Sequence, residues 1–107
     1  MNTNEYLMTQ AASECNEVAH RISKALQFGI NEVEPGQALT NAERIVAEFA
    51  DLCGVMSMLE DRGLLSIDDA SMAQAMLAKR AKVLRYMEYA KQQGTLVEQE
   101  VGATSMT

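Results

Sequence analysis

Two pairs of carboxylates are the residues of this chain best suited to chemistry: Glu14/Glu17 in Glu14-Cys-Asn-Glu17, and Glu48/Asp51 in Glu48-Phe-Ala-Asp51. On a helix, residues three apart share a face, so each pair reaches into one space. If the two helices face each other, four carboxylates converge, and their repulsion calls for a cation between them. An all-oxygen donor set suits a hard divalent ion, Mg²⁺ first, with Mn²⁺ the other candidate. The plain alternative is a solvated helix face. Acids make up 15 of 107 residues, so such spacings also arise by chance. Beyond the pairs, Lys24 follows two turns after Glu17, and Lys79-x-x-Lys82-x-x-x-Tyr86 lies far downstream.

Three helical segments must position these groups. The first is expected from about Asn4 to Phe28 and stopped by Gly29, with an apolar stripe of Leu7, Ala11, Cys15, Val18, Ile22 and Leu26. Glu14, Glu17 and Arg21 fall on the flank of that stripe, and Arg21 most simply pairs with Glu17 four residues away. Residues 29–40 form a loop around Pro35-Gly36, either a substrate-facing lid or a solvated insertion. The second helix opens with a capping box, Thr40 and Glu43, and ends near Asp61-Arg62-Gly63. Its stripe is Ile45, Phe49, Leu52, Met56 and Leu59, again with the acidic pair at the edge. Ser66-Ile-Asp-Asp69 starts a third helix that runs to about Gln93 and stops at Gly94. Arg80 falls in the middle of its apolar face, and Tyr86 either stacks on a ligand ring or fills a core. Residues 95–107 read as a flexible tail.

The fold class expected is therefore all-α: a single domain over 1–94, an antiparallel bundle of three long helices with room for a short fourth. So short a chain leaves a surplus apolar face, which predicts completion by a homodimer or homotetramer. Cys15 and Cys53 lack CxxC spacing and are expected as small buried hydrophobes rather than a disulfide. The net charge of −6 argues against direct nucleic-acid binding. No apolar run is long enough to cross a membrane, and the N-terminus lacks a signal-peptide pattern, so the cytoplasm is the expected compartment. The sole histidine, His20, is expected on an exposed face.

The order of these features resembles the MazG-like all-α nucleoside triphosphate pyrophosphatases, particularly the small phage-encoded type, which would place the chain in the host cytoplasm. Most of the likeness lies in residues 14–29 and 39–51, and Ala78-Lys-Arg-Ala-Lys-Val-Leu-Arg-Tyr86 carries the rest. The family signature is ExxE followed by ExxD. The resemblance implies that Glu14, Glu17, Glu48 and Asp51 hold Mg²⁺ or Mn²⁺. It also implies a reaction in which water attacks the α-phosphorus of a nucleotide, giving the monophosphate and pyrophosphate. Glu17 or Glu48 would orient that water, and Lys79, Lys82 and Lys24 would grip the phosphates, with Tyr86 at the substrate. Two departures stand out: Ser13 occupies a position that is often acidic, and the gap between the motifs is long. The competing expectation is a non-catalytic acidic helical interaction or inhibitor protein that binds a partner protein.

Overall fold

A computed structural model describes residues 1–97. The described chain is all-helical, with no strand among the described residues, and it divides into two compact units, residues 1–66 and the segment from Ile67 onward. The first unit holds α1 (Thr3–Phe28) and α2 (Asn41–Asp61); the second holds α3 (Asp69–Gln92). No fourth helix occurs among the described residues.

Local chemistry fixes the helix ends. Asn2 and Glu5 form a capping box at the start of α1: the Asn2 side chain accepts from the Glu5 N–H at 2.8 Å, and Glu5 accepts from the Asn2 N–H. Gly29 ends α1 at φ 106°, where an L side chain is strained. Thr40 and Glu43 cap α2 reciprocally, and the Thr40 backbone and hydroxyl hold the Glu43 carboxyl below its ordinary range. Asp68 accepts from the Ser71 N–H at 2.8 Å to start α3.

The α1–α2 contact follows a three-and-four spacing on both helices. On α1 the inward residues are Leu7, Ala11, Glu14, Val18, Arg21 and Ala25; on α2 they are Asn41, Ile45, Glu48, Leu52, Val55 and Leu59. This seam differs from the apolar stripes expected from sequence. Cys15, Ile22 and Leu26 of α1 and Phe49 of α2 are exposed, as is Cys53, and both cysteines are free. The seam departs from the stripe because it runs through charged residues. Glu14, Arg21 and Glu48 occupy positions that hydrophobicity alone assigns elsewhere.

Along the seam the chemistry changes in layers. Leu7 and Ala11 pack with Leu59, supported by Val55, Met56 and Leu65, and Arg62 donates to Asn4 nearby. Glu14 and Glu48 form the middle. At the far end the buried Asn41 donates its side-chain N–H groups to Gly29 O and Glu32 Oε1, both at 2.9 Å. The loop folds back on this anchor. Asn41 N–H donates to Glu32 O, Ala42 N–H to Ile30 O, and Gln37 N–H to Glu34 O across Pro35-Gly36, with Gly36 at φ 87° as the third position of a type II turn requires. Asn41→Ala is expected to lower stability by about 1–3 kcal/mol, because Gly29 O loses a donor in a part-buried site. Urea unfolding followed by circular dichroism checks this.

In the second unit, α3 taken by itself buries no side chain, and Met76, Leu77 and Leu84 are exposed along it, as is Arg80. Of the tail expected over 95–107, Thr95 and Leu96 close the helix through N–H donation to Ala90 O. The rest, from residue 98 on, lies outside the described residues. No helix among the described residues is long and apolar enough to cross a membrane.

Candidate metal centre

The middle layer of the seam brings Glu14 of α1 together with Glu48 and Asp51 of α2: one carboxylate oxygen from each lies within 4.8 Å of the other two. Glu14 and Glu48 are half-buried and Asp51 is exposed, so the group opens outward at the edge of the helical pair. Oxygens on opposite sides of a Mg²⁺ stand about 4.2 Å apart, from bond lengths of about 2.0–2.1 Å. A spread of 4.8 Å closes to that value by small side-chain rotations. Three hard oxygen donors with an open side therefore fit Mg²⁺ or Mn²⁺, leaving positions for water or a phosphate oxygen.

The electrostatics agree with the crowding. The Glu14 carboxyl is raised above its ordinary range, first by its partial burial in the seam, then by the charges of Asp51, Glu48 and Glu17. Glu17 is exposed and stands outside the group of three, although its charge reaches Glu14. Because the folded state holds the Glu14 proton more tightly than the unfolded chain, the associated stability is present below the ordinary carboxylate range. It is lost as pH rises through the folded value. In metal-free buffer, Glu14→Gln is thus expected to raise Tm at neutral pH, with the difference shrinking in acid. Thermal melts at both pH values check it.

Next to the acidic layer lies a cleft of about 220 Å³, bounded by the last turns of α1, the 29–40 loop and Asn41. Arg21, Lys24 and Phe28 contribute from α1, and Glu32, Glu34 and Pro35 from the loop. Lys24 Nζ sits 5.5 Å from the Phe28 ring centroid, a cation–π distance. Arg21 does not pair with Glu17 as the four-residue spacing suggested; it is buried against the cleft instead. The ion pair of this region is Arg44 Nη1 to Glu34 Oε2 at 2.8 Å, and it holds the Glu34 carboxyl below its ordinary range.

The remaining candidates lie on α3. Lys79, Lys82 and Tyr86 are exposed, with Lys82 Nζ 6.0 Å from the Tyr86 ring centroid. Lys82, Arg85, Tyr86 and Tyr89 together line a shallow hollow on that helix. His20 is exposed. The cleft residues Phe28, Glu32 and Asn41 were missed by sequence reasoning. The available signal was the seven-residue repeat Leu7, Glu14, Arg21, Phe28, which runs down one edge of α1 and carries in turn the apolar, acidic and basic–aromatic contacts. No family model, no curated protein and no solved structure matches this chain.

Proposed function

We propose that this protein is a divalent-metal-dependent nucleotide pyrophosphohydrolase that cleaves nucleoside triphosphates, or related nucleotides, to the monophosphate and pyrophosphate. The observation that carries the reading is the convergence of Glu14, Glu48 and Asp51 within 4.8 Å in an otherwise packed helical seam. Such a cluster opposes its own assembly, and the Glu14 carboxyl is raised above its ordinary range first by burial and then by the neighbouring charges of Asp51, Glu48 and Glu17.

Glu14, Glu48 and Asp51 would hold the ion, and Glu17 stands at the rim, where it can join through a water. Bound Mg²⁺ or Mn²⁺ would supply Lewis-acid polarisation of a phosphoryl oxygen and a lowered pKa for water. The chain's own residues do the rest. Glu48, half-buried beside the open side, can accept a proton from the attacking water, and Glu17 is the alternative acceptor. Arg21 and Lys24, on the next turns of α1, offset the negative charge of the substrate. Exposed Ile22, Leu26, Val46 and Phe49 support assembly into a homodimer or homotetramer that covers them.

The test is pyrophosphate release from a panel of ribo- and deoxynucleoside triphosphates with Mg²⁺ or Mn²⁺, abolished by chelator. Absence of turnover across the panel overturns the catalytic reading and leaves the acidic face as a protein-binding surface. A second measurement needs no substrate. Mg²⁺ is expected to raise Tm of the wild-type chain at neutral pH, and to raise that of Glu14→Gln much less, because bound cation and lost charge relieve the same repulsion.

A further inference from the structure

The cleft beside the acidic layer contains a charge with no spent hydrogen bonds. Arg21 is only 9% exposed, yet it makes no hydrogen bond and no ion pair within 4.0 Å among the described residues. A buried guanidinium without a partner is costly unless something meets it. No sealed side-chain nitrogen or oxygen in the described chain lacks a partner, so the Arg21 nitrogens are not sealed. The opening available to them is the cleft that Arg21 lines. Glu34, the acid whose field reaches Arg21, is already engaged by Arg44 at 2.8 Å.

The rest of the cleft is built to a pattern. Asn41, 2% exposed, donates to Glu32 Oε1 at 2.9 Å and so fixes that carboxylate while leaving Oε2 free to accept. Phe28 supplies a ring face and Pro35 an apolar wall. At about 220 Å³ the cleft is smaller than the ~300–1,000 Å³ of pockets that enclose a whole drug-sized ligand. It suits a fragment, either a phosphate group or a base. Glu32 and Glu34 balance Arg21 and Lys24 in the lining, which leaves no net charge to draw a phosphate, whereas a carboxylate acceptor, a guanidinium donor and a flat ring face suit a neutral heterocycle.

We propose that this cleft receives the base of the nucleotide and prefers guanine. Guanine presents N1–H and N2–H together, two donors that one carboxylate accepts side by side, with O6 next to them as an acceptor for Arg21. Adenine and cytosine offer a single amino group beside a ring acceptor, and uracil and thymine flank their one N–H with carbonyls that a carboxylate repels. Arg21 lies two turns beyond Glu14 on the same edge of α1, about 10 Å along the axis at 1.5 Å per residue. That spacing allows the base in the cleft and the phosphates at the carboxylates of one extended nucleotide. The inference rests on the nucleotide reading above and adds the base to it.

The test is binding rather than turnover. The full chain in chelator is titrated with dGMP, dAMP, dCMP, dTMP and inorganic phosphate, followed by amide chemical shifts and calorimetry. The expected result is tightest binding of dGMP by about 10-fold, with shifts centred on Phe28, Glu32 and Asn41. Glu32→Gln keeps an oxygen for Asn41 but replaces an acceptor with a donor, so it should remove the dGMP preference. Phe28→Ala should weaken all four monophosphates alike. Inorganic phosphate binding as tightly as dGMP with the same residues shifted, equal binding of all four bases, or no binding at all overturns the proposal. Turnover of all triphosphates alike without dGMP preference overturns the pocket and leaves catalysis standing. Selective dGMP binding with no pyrophosphate release from any triphosphate does the reverse.

Discussion

Under the proposed function, Glu48→Gln and Asp51→Asn are each expected to lose at least ~100-fold in pyrophosphate release at saturating Mg²⁺, with helical content unchanged from the wild type. The size follows from position. Even groups that only support metal ligands alter metal affinity or activity by about 10–100-fold, so direct ligands are expected at or above that range. Both substitutions keep side-chain volume and remove one negative charge, and Asp51 is exposed, so folding gives no reason for the loss. The folded state should in fact gain, because each substitution takes one charge away from the group that raises Glu14. Lower activity with equal or higher Tm is the signature of a functional cluster retained against stability. Glu17→Gln is the informative comparison. Its carboxylate stands outside the group of three, so a smaller loss than at Asp51 assigns it a water-mediated place, and an equal loss draws it into the ligand set. Should Glu48→Gln and Asp51→Asn retain full rate, the cluster is not the reaction centre.

The helix limits were legible because they are set by a few residues acting locally. Thr40 with Glu43, Gly29, Gly63 and Gly94 terminate segments through side-chain capping or positive φ, and no distant contact is needed to see it. The inward faces were harder to read. An apolar stripe is found by following hydrophobic residues, and Cys15, Ile22 and Leu26 drew the α1 stripe away from Glu14 and Arg21. The three-and-four spacing that contains those charges was present in the sequence. Its charged members made it read as broken. The cleft was less legible still, because Glu32 and Asn41 acquire their roles only through a hydrogen bond that closes the loop onto α2. A buried Asn at the start of a helix reads in sequence as ordinary first-turn polarity.

Leu59→Ala should be the most destabilising single truncation in the first unit, at about 2–5 kcal/mol. Leu59 is 4% exposed and meets Leu7 and Ala11 across the seam, with Val55, Met56 and Leu65 packed around them. The middle and far layers mix Glu14, Glu48, Arg21 and Asn41 with Ala25 and the half-buried Val18, Ile45 and Leu52, so the buried leucines between α1 and α2 sit at this end. A hydrogen-bonded Asn41 and an acidic cluster cannot substitute for it, since the first gives modest net stability and the second opposes folding. A domain of this size has a total stability of only about 5–15 kcal/mol. Truncation at Leu59 therefore removes a large share, and Leu59→Met, which conserves volume, should cost less than about 1.5 kcal/mol. Phe49→Ala provides the contrast. At 57% exposure its truncation leaves an isolated chain within about 0.5 kcal/mol of wild type. If a second copy covers Phe49, the same change instead lowers Tm and makes it less dependent on protein concentration, because the weakened association adds less stability. Urea unfolding of all three variants at two protein concentrations separates these outcomes. A loss at Leu59 no larger than that at Phe49 would mean that the acidic cluster is held together by something other than the apolar end of the seam.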